Sequence, residues 1–516
     1  MASSLNPLNL AGPGVLGLNT QDSLVGMDPR FCVEAHNAVF DKEGRLAARK
    51  GWERFVAADS TINNNGVTLV HEYINSVGES ELILVVPGGN VYAVDASSTA
   101  NLIYSAVDWS APYWKAVNFD KKCYLFQRGH DPLVYDGSSC VKVKNHDSYT
   151  GTVQQANEVL AAFGRLWTAD TLTDKVTIKW SDTLIGEAWT GGAAGSIDLN
   201  TVYSDGVRPI TALAAFNGKL VIFCDKTIIL YGGAETDPAT NLTLSDIIDG
   251  IGCIARDTVI DIGTDILFLS DSGVRSLGRV IQEKSAPIND ISRNVRDTMM
   301  EDVQANYAVN SSYDGIVSGY NELDGFYLLS LPAINKAYCL DLKARNQDSS
   351  ARVTTWGLAP QSMTYRINRD FVYGLPTGVG RSSTEYSDDF ASYEFSYASA
   401  NTEGKENVND NILKKFRLIC YGGGGYTLRL LWGTNYNGFP NQKQLTIPSE
   451  GTVAEYNTAE YGLGEYSGTL YGLRTIRTNL SRSGQVFQVG LSVPINGKPF
   501  SIQDLTVYVK KGKLSL

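Results

Sequence analysis

A short apolar hairpin recurs along this chain, and the recurrence restricts the fold more than any single motif does. The stretch 209–232, PITALAAFNGKLVIFCDKTIILYG, reads as a strand over 210–216, an Asn217-Gly218 turn, a second strand over 219–224, a corner at Asp225-Lys226 and a third strand over 227–231. Asn-Gly supplies the positive φ angles that a tight hairpin needs. Three short antiparallel strands make one sheet blade, and a lone blade cannot bury its own faces. The second strand returns behind a polar turn at 79–86, 121–126, 164–169, 264–270, 324–330 and 369–374, so that seven such units exist. Most are followed by a further turn and strand, as in GNVYAVD (89–95), DPLVYDG (131–137), KVTIKWSD (175–182), SGVRSLG (272–278) and KAYCLDL (336–342). A spacing of roughly 40 to 60 residues is that of propeller blades rather than of solenoid repeats. The expectation is a β-propeller of about six or seven blades; the competing reading is an all-β meander whose hairpins merely look alike.

At 516 residues the chain is too long for one ordinary core, which calls for two domains or a closed architecture with an appendage. Tyr is frequent at 27 against 5 Met, as suits half-buried pleated surfaces in an all-β chain. Seven Cys without any C-x-x-C pairing speak against a disulfide framework and a zinc site, and favour reduced, intracellular assembly. The first residues lack a basic region followed by an apolar core, and no apolar run approaches a membrane span, so neither export by the usual signal nor membrane insertion is expected. Net charge is −11, distributed unevenly: residues 1–387 carry 31 Lys+Arg and 44 Asp+Glu, residues 388–516 carry 13 and 11. An acidic balance argues against a surface that grips nucleic acid.

In chain order, residues 1–58 form an extended Gly/Pro-rich arm and an entry hairpin; the arm's isolated apolar residues do not build a core and are expected to lie on something else. Residues 59–387 form the propeller, 388–411 a polar linker or exposed loop, and 412–516 a β-sandwich-like platform, because FRLICYGG, YTLRLLWG, QVFQVGLSV and FSIQDLTVYVKK alternate apolar and polar positions. One helix is expected after Pro287, capped by Asn289 or Asp290, with Ile291, Val295, Met299 and Val303 as its apolar stripe. It reads as a solvated surface helix or as a subunit contact.

The string Asn37-x-x-Phe40-Asp41, Gly44-Arg45, Arg49-Lys50-Gly51-Trp52 resembles the entry hairpin of the tail nozzle proteins of short-tailed bacteriophages, the group that includes packaged-DNA stabilisation proteins and tail tubular protein B. Residues 180–199 leading into the 210–223 hairpin, 246–259 leading into 264–297, and 477–514 carry the same resemblance as diffuse patterns. It implies a ring, a hexamer, below the portal and adaptor, through which genomic DNA leaves without sequence-specific binding. Its partners would be copies of itself, the adaptor and portal complex, and tail fibre or needle proteins. Its place would be the virion tail, assembled in the host cytoplasm. Within that picture Leu10, Val15, Leu16, Phe31, Trp52, Lys510 and Lys511 are the candidate adaptor or inter-subunit contacts, the near-neutral sandwich suiting a protein interface. Asp246, Asp249, Asp388 and Asp389 are candidates for an acidic lumen that repels phosphates.

No residues stand out for catalysis, cofactor binding or metal ligation. The four His lack metal-ligand spacing, and the carboxylate pairs 301–302 and 388–389 sit in exposed-looking segments. Gly422 to Gly425 precede a strand and not a helix, which reads as a hairpin tip and not a phosphate loop. Ser181-Asp182 with Gly186 and Trp189 shares residues with an Asp-box turn, but the spacing is off and the motif occurs once, so a structural turn is expected. The alternative function is a carbohydrate-binding or carbohydrate-active propeller, with Trp109, Trp114 and Trp432 stacking on sugars.

Overall fold

The computed structural model describes residues 5–10, 12–24, 26–56, 62, 65–75, 77–105, 113–201, 208–284, 290–403, 410–449 and 472–512. It comprises two compact units, each assembled from separate stretches of chain: Arg54–Ala337 with Ala359–Arg381, and Met1–Glu53 with Tyr338–Leu358 and Ser382–Leu516.

The first unit is a seven-bladed β-propeller. Its inner strands are Leu69–Ile74, Lys115–Phe119, Glu158–Ala162, Ile210–Phe216, Ile260–Asp261, Val317–Asn321 and Ser362–Tyr365. Each neighbours the next, the turn of 3-10 helix at Arg256–Thr258 lying between the fourth and sixth blades beside Ile260–Asp261, and Ser362–Tyr365 returns to Leu69–Ile74 so that the ring closes. The first four blades have four antiparallel strands each, and the fifth has three. The seventh runs Ser362–Tyr365, Phe371–Leu375, Gly378–Ser382 and then Trp52–Arg54, a strand made more than 300 residues earlier. The Phe55 N–H, just beyond it, donates to the Val379 carbonyl at 2.8 Å.

Every blade is covered on both faces, which explains why its second strand reads as continuous apolar sequence and not as an alternating one. In Lys219–Cys224 the side chains of Leu220, Ile222 and Cys224 join a core shared with the third blade, whereas Val221 and Phe223 join one shared with the fifth. Each such residue buried in full contributes about 1.5–3 kcal/mol. Ring closure has its own core, in which Val372 and Val379 of the last blade pack with Val70, Leu82 and Leu84 of the first. The Asn217-Gly218 turn adopts φ of 49° and 72° and sets Phe216 opposite Lys219, the register that an Asn-Gly hairpin dictates.

The second unit is a β-sandwich. One sheet runs Ala38–Phe40, Leu46–Ala48, Phe500–Lys510, Asn411–Gly422, Leu473–Gly484, with Asn6–Leu10 paired along Phe500–Lys510. The other runs Ala351–Trp356, Cys32–His36, Tyr393–Ser399, Val486–Ile495, Thr427–Thr434, Asn441–Thr446. Between them lies one core, in which the Phe395 and Phe500 rings meet edge to face at 5.4 Å.

Four sequence expectations change here. Residues 338–358, assigned to the propeller, belong to the sandwich unit, where Ala351–Trp356 lies parallel to Cys32–His36. The polar excursion is no linker: Tyr393–Ser399 is an inner strand of the sandwich, with Phe395 and Tyr397 buried and Glu394 turned outward, while 404–409 lie outside the described residues. The arm does not await another surface, since Asn6–Leu10 pairs in register with 505–509 and the Leu18 N–H donates to Val353 O at 2.8 Å. The helix stripe Ile291, Val295, Met299, Val303 is buried, but the α-helix itself is Arg296–Asn310 without a side-chain cap, and Asn289 lies outside the described residues. A helix that sequence reading misses, Leu277–Glu283, follows the last strand of the fifth blade, its first turn capped by Ser276 Oγ accepting from the Arg279 N–H at 3.2 Å.

Candidate functional site

The inner strands of the propeller surround a cavity of about 460 Å³ whose wall includes His71, Lys115, Arg256, Asp257, Ser318 and Ser362. Two buried charges lie at the inner ends of the blades, Arg256 in this wall and Glu158 bonded to Lys115 of it. Glu158, fully buried at the start of the third blade's inner strand, accepts from Lys115 Nζ at 2.7 and 2.8 Å and from the Leu213 N–H at 3.0 Å. Arg256, 2% exposed, donates through Nη1 to Asn157 O and Oδ1 (2.6 and 2.8 Å) and through Nη2 to Trp114 O (3.0 Å) and Asp257 Oδ2 (2.6 Å), with Nε bonded to Asp257 Oδ1 at 2.9 Å. The pair therefore ties blades two, three, four and five together at their inner ends. Burial pushes the Glu158 carboxyl up, against the pull of Lys115. Burial works against the Arg256 charge as well, but Asp257 holds the guanidinium firmly protonated. Burial lowers the pKa of His71, whose Nε2 lies 3.0 Å from Asn118 Oδ1.

These charges answer one another. Among the described residues no group of His, Cys, Asp and Glu is arranged to hold a metal ion. The network's pH response follows from the raised Glu158 value. A carboxyl that binds its proton more tightly in the folded chain contributes stability fully below its unfolded pKa of about 4.3, and that contribution falls as pH rises through the folded value. The melting temperature of Glu158→Gln relative to the parent is therefore expected to climb as pH is raised from about 4.3; a difference that stays constant as pH rises refutes the assignment.

The proposed acidic residues separate. Asp246 and Asp249 sit on Thr243–Asp249, the outermost strand of the fourth blade. Asp246 pairs with Lys284 at 3.0 Å, and this hydrogen bond holds its carboxyl below the usual range; Thr227 Oγ1 donates to Asp249 Oδ1 at 3.2 Å. Asp388 is no free surface charge, because both its oxygens are taken by buried Arg49 at 2.6 and 2.8 Å. Asp389 follows in a left-handed turn, φ 46°, and its N–H donates to Trp52 O at 2.7 Å.

The proposed contact residues lie mostly within the sandwich unit's own fabric. Leu10 pairs with Leu505; Val15, Leu16 and Phe31 are half-buried, the Leu16 N–H donating to Arg30 O at 3.2 Å. Trp52 is half-buried and bridges to Asp388. Lys510 ends the last strand and Lys511 is exposed just after it. Ser181-Asp182 forms a structural turn: Asp182 Oδ1 accepts from the Thr183 and Ala193 N–H groups at 2.8 and 2.9 Å, and buried Trp189 donates to Gly186 O at 2.9 Å. Trp114 and Trp432, offered as sugar platforms, are 4% and 8% exposed and pack in cores; Trp109 lies outside the described residues.

A second hollow, about 320 Å³, lies on the outer face of the sandwich beside Glu34, His36, Glu394 and Arg429. Its carboxylates are also engaged: Arg429 Nη2 bonds Glu394 at 2.9 Å and Ser492 Oγ at 3.3 Å, and Ser396 donates to Glu34.

No protein-family model matches the chain, and no curated protein does. Among solved structures, BamB from Moraxella catarrhalis is similar at 12% identity over 68% of this chain and 98% of its own, with a TM-score of 0.37. The WD40 beta propeller domain of Doa1 is similar at 12% identity over 64% and 96%, TM-score 0.36. The extracellular domain of a putative hybrid two component system from B. thetaiotaomicron is similar at 9% identity over 66% of this chain, TM-score 0.40, and the chain spans 40% of that protein's length. The propeller assignment stands on the closed ring of inner strands described above.

Proposed function

We propose that the chain is a structural subunit of the tail of a short-tailed bacteriophage, a nozzle component that assembles as a hexamer below the portal and adaptor, retains packaged DNA and conducts it during ejection. The observation that supports this reading is where the quoted family-like residues fall. They are spread over 37–52, 180–223, 246–297 and 477–514, and several of them hold structural posts in both units. Gly51 has no room for a side chain, since a Cβ would come within 1.8 Å of Ser387 O. Arg49 and Arg256 are buried hubs, and Asp265 receives the Gly278 N–H at 2.8 Å at the start of a helix. Residues 477–514 supply most of the three long strands of the sandwich's C-terminal part. Motif positions spent on shape suit a building block better than an enzyme.

Negative-stain images of the protein mixed with its tail adaptor and portal are expected to show six-fold rings. Adaptor-bound protein that scatters light with monomer mass would rule the ring out.

A further inference from the structure

The near-neutral balance of the sandwich conceals a segregation of charge. Its first sheet carries, on the three strands Asn411–Gly422, Leu473–Gly484 and Phe500–Lys510, seven basic residues and one carboxylate, Asp504. Register and burial fix which of these face outward. Leu413, Phe416, Leu418, Ile476, Leu505 and Val507 fill the core, so their neighbours Arg417, Arg477, Asn479 and Tyr508 lie on the opposite face. A bulge between Leu413 and Lys415 breaks the alternation and leaves both Lys414 and Lys415 exposed, where two adjacent strand residues would ordinarily point to opposite sides. Lys510 stands opposite Ile412 on the next strand.

One detail is costly for stability. Arg417 and Arg477 are direct cross-strand partners, and like charges in that position repel. Asp504 pairs with Arg417 at 2.8 Å and accepts from Thr506 Oγ1 at 3.1 Å. Arg477 is exposed, and the exposed lysines beside it raise the same repulsion. A chain with 55 acidic and 44 basic residues that nevertheless concentrates cations on one sheet face places there a surface for a polyanion.

We infer that this face binds the phosphate backbone of double-stranded DNA without reading its sequence, through Lys414, Lys415, Arg477 and Lys510. The assignment rests on the nozzle reading for the identity of the polyanion, and it makes the face a holding contact for packaged DNA. Cations two residues apart on a strand are about 6.6–6.8 Å apart, and neighbouring strands about 4.8 Å, so a duplex with one charge per about 1.7 Å of axis meets several of them at once.

The test is fluorescence anisotropy of a labelled random-sequence duplex with the isolated full-length chain, titrated over salt. Four phosphate contacts give a slope of log K against log salt of about −3.6, a loss of roughly 150-fold between about 50 and 200 mM. The variant Lys414→Gln/Lys415→Gln/Arg477→Gln is expected to lower that slope to about −1, and the triple Glu variant, which repels the phosphates, to weaken binding further; thermal melts establish that both keep the fold, since the residues are exposed. Absence of binding at about 50 mM salt, or a slope the variants leave unchanged, overturns the proposal. So does a triple variant that binds DNA as before but loses self-association in sedimentation, because the face would then dock the acidic propeller of another copy. Six-fold images bear on the nozzle reading alone, so the two failures are distinguishable.

Discussion

Arg49→Met is expected to destabilise the sandwich unit by about 3–5 kcal/mol, the cost of leaving one member of a buried ion pair without its partner. Arg49 is 2% exposed and spends its guanidinium on Asp388, on Asn37 Oδ1 at 3.0 Å and on Lys50 O at 3.1 Å, while its plane lies 4.3 Å from the centre of the Tyr393 ring and 5.6 Å from that of Trp356. Asn37, held in a left-handed conformation at φ 51°, also receives the Gly357 N–H at 3.0 Å and donates to Glu394 O at 2.8 Å. One cation thus fixes the entry hairpin, the strand after residue 351 and the turn at 388. Arg49→Lys keeps the charge but not the fork or the stack, and should recover only part of the loss. The double change Arg49→Met/Asp388→Leu should be milder than either single one. Urea unfolding followed by tryptophan fluorescence measures all three; an Arg49→Met cost below about 1 kcal/mol would show that the pair is incidental.

Arg256→Met is the propeller's counterpart, with a similar expected cost of about 3–5 kcal/mol. It strands acceptors on three blades at once, namely Trp114 O, both oxygens of Asn157 and the Asp257 carboxylate. Because those acceptors sit at the inner ends of blades two and three, the loss should register locally first. Hydrogen exchange should accelerate in Lys115–Phe119 and Glu158–Ala162 before it does in the seventh blade. Uniform acceleration through the ring would mean that the network does not join blades in the way described.

The propeller was legible because its signals are local. Each second strand sits behind a polar turn, and burial on both faces makes it an unbroken apolar run; all seven proposed second strands are second strands. The sandwich was legible for the opposite reason, strict alternation over long strands. What stayed hidden depends on distant partners. Tyr393–Ser399 looks polar by composition, and only its facing of the other sheet makes Tyr393, Phe395 and Tyr397 a core row. The strand Ala351–Trp356 reads like one more blade strand, and its assignment to the sandwich turns on a parallel partner more than 300 residues away. Nothing in a sequence marks Arg49, Glu158 or Arg256 as buried, because charged residues are buried only where the fold delivers their partners. The cationic face escaped notice because its members come from three strands whose charges average out along the chain.

The sandwich draws on residues 1–53, 338–358 and 382–516, and the seventh blade needs Trp52–Arg54 beside Gly378–Ser382. During synthesis the first of these segments emerges from the ribosome with only its own hairpin, Ala38–Phe40 against Leu46–Ala48, to pair with, while blades one to five are built wholly from neighbouring stretches and can form as they appear. The rest of the N-terminal segment must therefore wait for its partners in Ala351–Trp356, Tyr393–Ser399 and Phe500–Lys510. A prematurely ended chain would carry most of a propeller with an open seam and no sandwich at all. If the sandwich is what joins subunits, the order of translation itself becomes the inspection step: a subunit acquires the ability to enter an assembly at the moment its two far ends find each other, and broken copies are excluded without a chaperone having to recognise them.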